Sequence, residues 1–152
     1  MTDITLDLNN YRVNLRVAAI VRREDEVLLC RPVDRQWWYL PGGRIKTNED
    51  SLTAMHRELI EEIGPGFEVL RPVIAAENFF ELEGRNFHEL STYYEVAWHG
   101  EELAGTEENE LEVFEWCPLS EISGLTLKPD FVIPRILEPR TELELIVHRE
   151  NG

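Results

Sequence analysis

No apolar run in this 152-residue chain approaches the ~18 residues needed to cross a bilayer. The first residues, MTDITLDLNNYR, lack the basic-then-apolar order of a secretion signal. Both absences lead us to expect a soluble protein of the cytoplasm that meets no membrane. Cysteine is equally sparse. Cys30 and Cys117 lie in apolar stretches without metal-finger spacing, the pattern of buried reduced thiols, which also suits an intracellular protein.

Positive charge is scarce too, with 15 Lys+Arg against 30 Asp+Glu for a net −15. The imbalance is lopsided: residues 1–76 carry 10 against 12 (−2), and residues 77–152 carry 5 against 18 (−13). An acidic second half repels the phosphate backbone, so a long nucleic acid is not the expected partner. A small anion complexed with a metal remains open, because a bound divalent cation reverses the local sign. The chain has no repeat, linker or low-complexity tract, and its length suits one domain over residues 1–152 with a single core.

What is present alternates between strand and helix patterns. RVNLRVAAIVRR (Arg12 to Arg23) and VLLC (Val27 to Cys30) flank a charged turn and read as a hairpin. After Pro41-Gly42-Gly43, the first-turn residues Glu49, Asp50 and Ser51 begin a helix ended by Gly64-Pro65. Its expected core stripe is Leu52, Met55, Leu59 and Ile63. Phe67 to Phe80 and Phe87 to Trp98 read as long strands joined at Glu83-Gly84-Arg85-Asn86, followed by a Glu-rich loop over Gly100 to Asn109. A strand through Val113 to Trp116, a small helix at Leu119 to Ile122 and another at Asp130 to Leu137 come next. Leu143 to Val147 fits either a last strand or a helical tail. Mixed strands with a few helices predict an α+β fold, an α/β/α sandwich on a mixed β-sheet.

Glu58, Glu61 and Glu62 stand at i, i+3 and i+4, on an arc beside the apolar stripe. Like charges at this spacing repel by a few tenths of a kcal/mol per pair unless something neutralises them. Hard carboxylate oxygens suit Mg²⁺ or Mn²⁺ with substrate phosphates. A solvated acidic face, with Arg57 in surface pairs, would give the same pattern.

The flanking residues extend the motif. Gly43, five residues, Glu49, seven residues, Arg57-Glu58-Leu59, one residue, Glu61-Glu62, one residue and Gly64 resemble the Nudix hydrolase box, G-x5-E-x7-R-E-U-x-E-E-x-G-U, over residues 43–65. Only Pro65 departs from it, standing where an aliphatic residue is usual. The resemblance implies the Nudix fold and hydrolysis of a nucleoside diphosphate linked to a moiety X. It also implies that Glu58, Glu61, Glu62 and the Gly43 carbonyl hold Mg²⁺ or Mn²⁺, while Arg57 pairs with Glu49 and orients the carboxylates.

Glu61 and Glu62 would then be catalytic together with a base from the Glu-rich loop, for which Glu110 is chosen over Glu107 and Glu108. Arg31 and Arg44 are candidate phosphate contacts, with Arg35 an alternative, and arginine suits the task because its fork donates two hydrogen bonds at once. Phe80 is a candidate to stack on a base, beside Trp37, Phe79 and Tyr93, and His88 is a candidate substrate contact. A nucleoside or deoxynucleoside triphosphate is the expected substrate. A nucleotide sugar, ADP-ribose or a dinucleoside polyphosphate is the runner-up, and a non-catalytic nucleotide sensor is the reading of another class. A third reading, an isoprenoid diphosphate isomerase, needs a cysteine poised opposite a glutamate. The oligomeric state stays open, with a homodimer among the expectations.

Overall fold

A computed structural model describes residues 1–105 and 110–150. The strands are β1 (Thr5–Leu8), β2 (Tyr11–Arg23), β3 (Glu26–Pro32), β4 (Gly42–Arg44), β5 (Phe67–Leu82), β6 (Arg85–Trp98), β7 (Glu112–Pro118) and β8 (Glu144–Arg149). The helices are α1 (Ser51–Ile63) and the short α2 (Ile133–Leu137), with 3-10 turns at Leu119–Gly124 and Asp130–Val132. The eight described strands form one mixed sheet in the order β7-β3-β2-β6-β5-β8, with β1 and β4 also paired to β2. The last segment is therefore a strand. β1 and β4 went unforeseen, being four and three residues long.

β2 loses its strict alternation at Ala19-Ile20-Val21 because the sheet is covered on both faces there. On one face Val17, Ala19, Val21, Tyr94 and Val96 pack under Met55, Leu59 and Ile63 of α1. On the other, Ile20, Leu29, Val73 and Ile74 pack against Ile122, Val132 and Ile136 of the 3-10 turns and α2. This is the α/β/α sandwich expected from the sequence. Arg22 secures the second layer by donating to the carbonyls of Ile136 (2.9 Å) and Arg135 (3.2 Å) while pairing with Glu95.

Two features of this frame position the site. β3 pairs with β2 only at Arg22 and Arg23, then diverges towards β7, and β4 pairs with β2 further along at Arg16 to Ala18. The intervening segment fills the divergence: Tyr39 and Cys30 exchange backbone hydrogen bonds (2.8 and 2.9 Å), and the Ala19 N–H donates to the Pro41 carbonyl (2.9 Å). α1 begins at Asp50, whose side chain accepts from the Thr53 N–H at 2.7 Å, and ends at Gly64 with φ 86°.

The buried arc of α1 differs from the expected stripe. Leu52 is 47% exposed, while Ala54, Met55, Leu59 and Ile63 are buried. In the first turn the sheet-facing place belongs to Ser51, whose hydroxyl is 2.6 Å from that of Tyr94, and this turns Leu52 outward. At about 100° per residue the arc from Ala54 through Leu59 now contains Glu58 and Glu62. Two of the three box carboxylates are thus partly buried against the sheet.

Candidate metal and catalytic centre

Arg57 organises the acidic face of α1. Its Nε donates to Glu49 Oε2 at 2.7 Å and its Nη2 to Glu49 Oε1 at 2.9 Å, a bidentate pair. Nη2 also reaches the Arg44 carbonyl at 3.1 Å, and Nη1 reaches Glu58 Oε1 at 2.9 Å and Glu61 Oε2 at 3.6 Å. One guanidinium thereby fixes the loop before the helix and two of its carboxylates. The Glu49 side chain, only 3% exposed, also accepts from the Lys46 N–H at 2.8 Å. Arg57 and that N–H lower the Glu49 carboxyl to about 2.

Glu49 thus supports the fold above its ordinary pKa of 4.5, and this support is lost as pH falls towards 2. Glu49→Gln should lower the melting temperature at neutral pH, with the deficit shrinking between about pH 4.5 and 2. Thermal melts across that range test it, and a deficit constant down to pH 2 would contradict the pairing.

Glu58 and Glu62 behave differently. Burial raises Glu58 despite Arg57. Burial, followed by the fields of Glu58 and Glu112, pushes Glu62 up to about 9, with the Gly42 N–H and Arg16 offsetting part of the rise. Glu62 Oε2 is buried with no hydrogen-bond partner among the described residues, which is costly unless something is meant to meet it.

Gly43 completes the enclosure. A Cβ there would stand 2.3 Å from Glu58 Oε1, so any larger residue would displace that carboxylate from its place beside the β4 backbone. Gly43→Ala should reduce metal affinity at least ~10-fold while the sheet stays folded, as for other changes that misplace a metal ligand. Mn²⁺ titration beside a thermal melt tests this, and unchanged affinity would remove Gly43 from the centre.

These donors fit a hard divalent cation in chemistry: carboxylate and carbonyl oxygens, one of them orphaned. Among the described residues no three Asp, Glu, His or Cys side chains converge closely enough to hold a metal by themselves. An ion there would need waters and substrate phosphate to complete its shell, which is the usual habit of Mg²⁺.

The remaining candidates separate. Glu110 is exposed, and Glu107 and Glu108 lie outside the described residues. Two positions beyond Glu110, Glu112 receives the Tyr39 hydroxyl at 2.7 Å on Oε1 and contributes to the field at Glu62. Burial and that bond hold the Tyr39 phenol protonated, so it serves as a fixed donor. Arg31 Nη1 donates to the carbonyls of Pro32 (3.2 Å) and Arg35 (3.2 Å), stabilising the loop after β3. Arg35 approaches Glu83 at 3.9 Å. Arg44 donates to Thr5 Oγ1 at 2.9 Å and pairs with Asp3.

Among the aromatics, Phe80 stacks on Phe87 at 5.0 Å, Phe79 lies against His88 and under Arg149, and Tyr93 is core. Trp37 packs near Tyr39 and Lys128. Cys30 and Cys117 are buried free thiols, and burial drives the Cys30 thiol far towards its protonated form.

Arg16 and Glu112 were missed from sequence. Both lie on strands far from the box, and only the alternation of β2 and the Glu-rich run before Val113 hinted at them. No described helix is long and apolar enough to cross a membrane.

The architecture and the ordered box meet in known proteins. A profile of the NUDIX domain matches residues 12–136, most of the chain. The chain belongs to the NUDIX family. The CTP pyrophosphohydrolase of Escherichia coli (strain K12) is 31% identical over 118 residues, covering 74% of this chain and 82% of that protein. An RNA pyrophosphohydrolase from Ruthia magnifica subsp. Calyptogena magnifica is 31% identical over 83 residues, covering 55% of this chain and 46% of its own. The NUDIX chain therefore spans about half the length of its RNA pyrophosphohydrolase relatives. Among solved structures, the MutT protein of Bacillus halodurans matches with a TM-score of 0.68 at 20% identity, covering 91% of both chains. That likeness concerns the Nudix fold alone.

Proposed function

We propose that this protein is a metal-dependent hydrolase of a phosphoric anhydride bond in a nucleoside diphosphate linked to X, most simply a nucleoside or deoxynucleoside triphosphate. The observation that carries this reading is the orphaned, buried Glu62 oxygen set among Glu58, Glu112 and the Gly42-Gly43 backbone. A charge arrangement this unfavourable suits a site completed by a cation and a diphosphate. Glu58, Glu61, Glu62 and the Gly43 carbonyl would hold Mg²⁺ or Mn²⁺, whose chemistry is to neutralise phosphate charge and acidify water.

Arg57 keeps Glu58 and Glu61 aimed, and Arg16 faces the phosphates as a cation. Glu112 replaces Glu110 as our choice of base. Its Oε1 is held by Tyr39, so Oε2 takes the proton from the attacking water as a new P–O bond forms and the anhydride P–O bond breaks. The leaving phosphate departs with the bonding electrons.

The CTP-named relative supports a nucleoside triphosphate. The relatives named for RNA favour a second reading, an RNA substrate, which the net charge of −15 disfavours. A panel of nucleoside triphosphates, nucleotide sugars, ADP-ribose, dinucleoside polyphosphates and a 5′-triphosphorylated RNA separates them, assayed for phosphate and pyrophosphate release with Mg²⁺ or chelator. Metal-dependent turnover of the triphosphates is expected. Binding without turnover of any member would point to a nucleotide sensor.

A further inference from the structure

A continuous row of polar side chains crosses the sheet. Register places Thr5 of β1 beside Asn14 of β2, Asn14 beside Glu89 of β6, Glu89 beside Asn78 of β5, and Asn78 beside His148 of β8. Four residues along each strand, the same face carries the core positions Ala18, Tyr93 and Ile74. Asn14 is 4% and Asn78 8% exposed, in central strands where apolar residues are the rule. Burying polar groups there is costly unless their hydrogen-bonding capacity is used.

Most of that capacity is used in a directional chain. Arg44 Nη1 donates to Thr5 Oγ1 (2.9 Å), Thr5 Oγ1 donates to Asn14 Oδ1 (2.8 Å), and Asn14 Nδ2 donates to Glu89 Oε2 (2.8 Å). From the other end, His148 Nδ1 donates to Asn78 Oδ1 at 3.0 Å. Two groups in the middle are left over. Glu89 Oε1 has an ion pair with Arg16 Nε at 4.0 Å and no hydrogen bond, and Asn78 Nδ2 makes no hydrogen bond among the described residues. The network therefore holds an acceptor and a donor side by side on adjacent strands. Glu89 is the more open of the two, its side chain 14% exposed, whereas Asn78 is 8% exposed.

Arg16, whose charge is felt at Glu58 and Glu62, stands two residues along β2 from Asn14 and brings its Nε to 4.0 Å from Glu89 Oε1, so it links the row to the carboxylates. We propose that Glu89 and Asn78 read the hydrogen-bonding edge of a nucleobase, selecting one that bears an exocyclic amine. The proposal rests on the hydrolase reading only in laying the diphosphate towards Arg16. Glu89 accepts from the amine and Asn78 donates to the ring nitrogen beside it. A carbonyl in place of the amine sets its lone pairs against those of Glu89. Asn14 and Thr5 are positioning residues that fix Glu89.

The test uses nucleoside monophosphates, which carry no anhydride and cannot be turned over: CMP against UMP and AMP against IMP, each pair exchanging the amine for a carbonyl. Calorimetric titration of the wild type should show the amino member binding about 10-fold tighter, within the usual range for one base contact. In Glu89→Gln, the Asn14 N–H keeps the glutamine oxygen and the Nε2 amide takes the open place, changing an acceptor into a donor. The preference should then level or reverse towards UMP and IMP. Equal wild-type affinities, no binding of any of the four, or a ratio unchanged in Glu89→Gln would overturn the proposal. If the variant fails to fold, the wild-type ratios decide alone. Ten-fold selectivity in a protein that turns over no triphosphate would sink the hydrolase reading and leave this one standing.

Discussion

Glu62→Gln should abolish nearly all metal-dependent turnover, lowering kcat by at least the ~10²- to 10³-fold that loss of one transition-state charge contact costs, while the protein stays folded. The reason is the same one that makes Glu62 costly at rest. Burial and two neighbouring carboxylates raise it to about 9 in the metal-free protein, against 4.5 in an unfolded chain. The folded state therefore holds a proton that the unfolded state releases, and stability falls as pH rises from about 4.5 to 9. Glutamine removes that penalty. The variant should melt at or above the wild type at neutral pH, with a margin that grows with pH, the opposite trend to Glu49→Gln. An inactive variant that also unfolds would mean that Glu62 serves packing.

Glu112→Gln should lower kcat by about 10²- to 10⁴-fold, the usual contribution of a general base, with KM little changed. Glu110→Gln should leave kcat within a few-fold of wild type, because Glu110 is exposed while Glu112 is held by Tyr39 and contributes to the field at Glu62. If Glu110→Gln carries the fall instead, the assignment of the base reverts to the loop.

The box was legible because every feature of it is local. Asp50 caps, Met55, Leu59 and Ile63 face the sheet, and Gly64 ends the helix, all within one stretch whose spacing fixes its geometry. The β5–β6 hairpin was equally plain, since Glu83 and Gly84 take positive φ at a two-residue turn. The exact buried arc of α1 was not legible: a hydroxyl pair between Ser51 and Tyr94, 43 residues apart, decides that Leu52 faces water.

Distance in sequence hid the rest. Glu112 contributes to the field at Glu62 only because β7 pairs with β3, which sets Glu112 opposite Pro32 and within reach of the Tyr39 hydroxyl. The polar row needs β2 and β6 to pair in parallel, bringing together Asn14 and Glu89, 75 residues apart. Read strand by strand, each of those residues is an unremarkable polar position. Arg31 and Arg44 illustrate the converse: their type suits phosphate, yet carbonyls of the neighbouring loop occupy one and Thr5 the other.

The most direct measurement is the initial rate of nucleoside triphosphate hydrolysis as Mg²⁺ is raised from chelator to saturation, in the wild type and in Glu62→Gln. No turnover in chelator, a saturable rise with Mg²⁺ in the wild type and a flat line in the variant are the predicted results. Hydrolysis that persists in chelator, or that Glu62→Gln performs as well as the wild type, would contradict a metal centre built on α1.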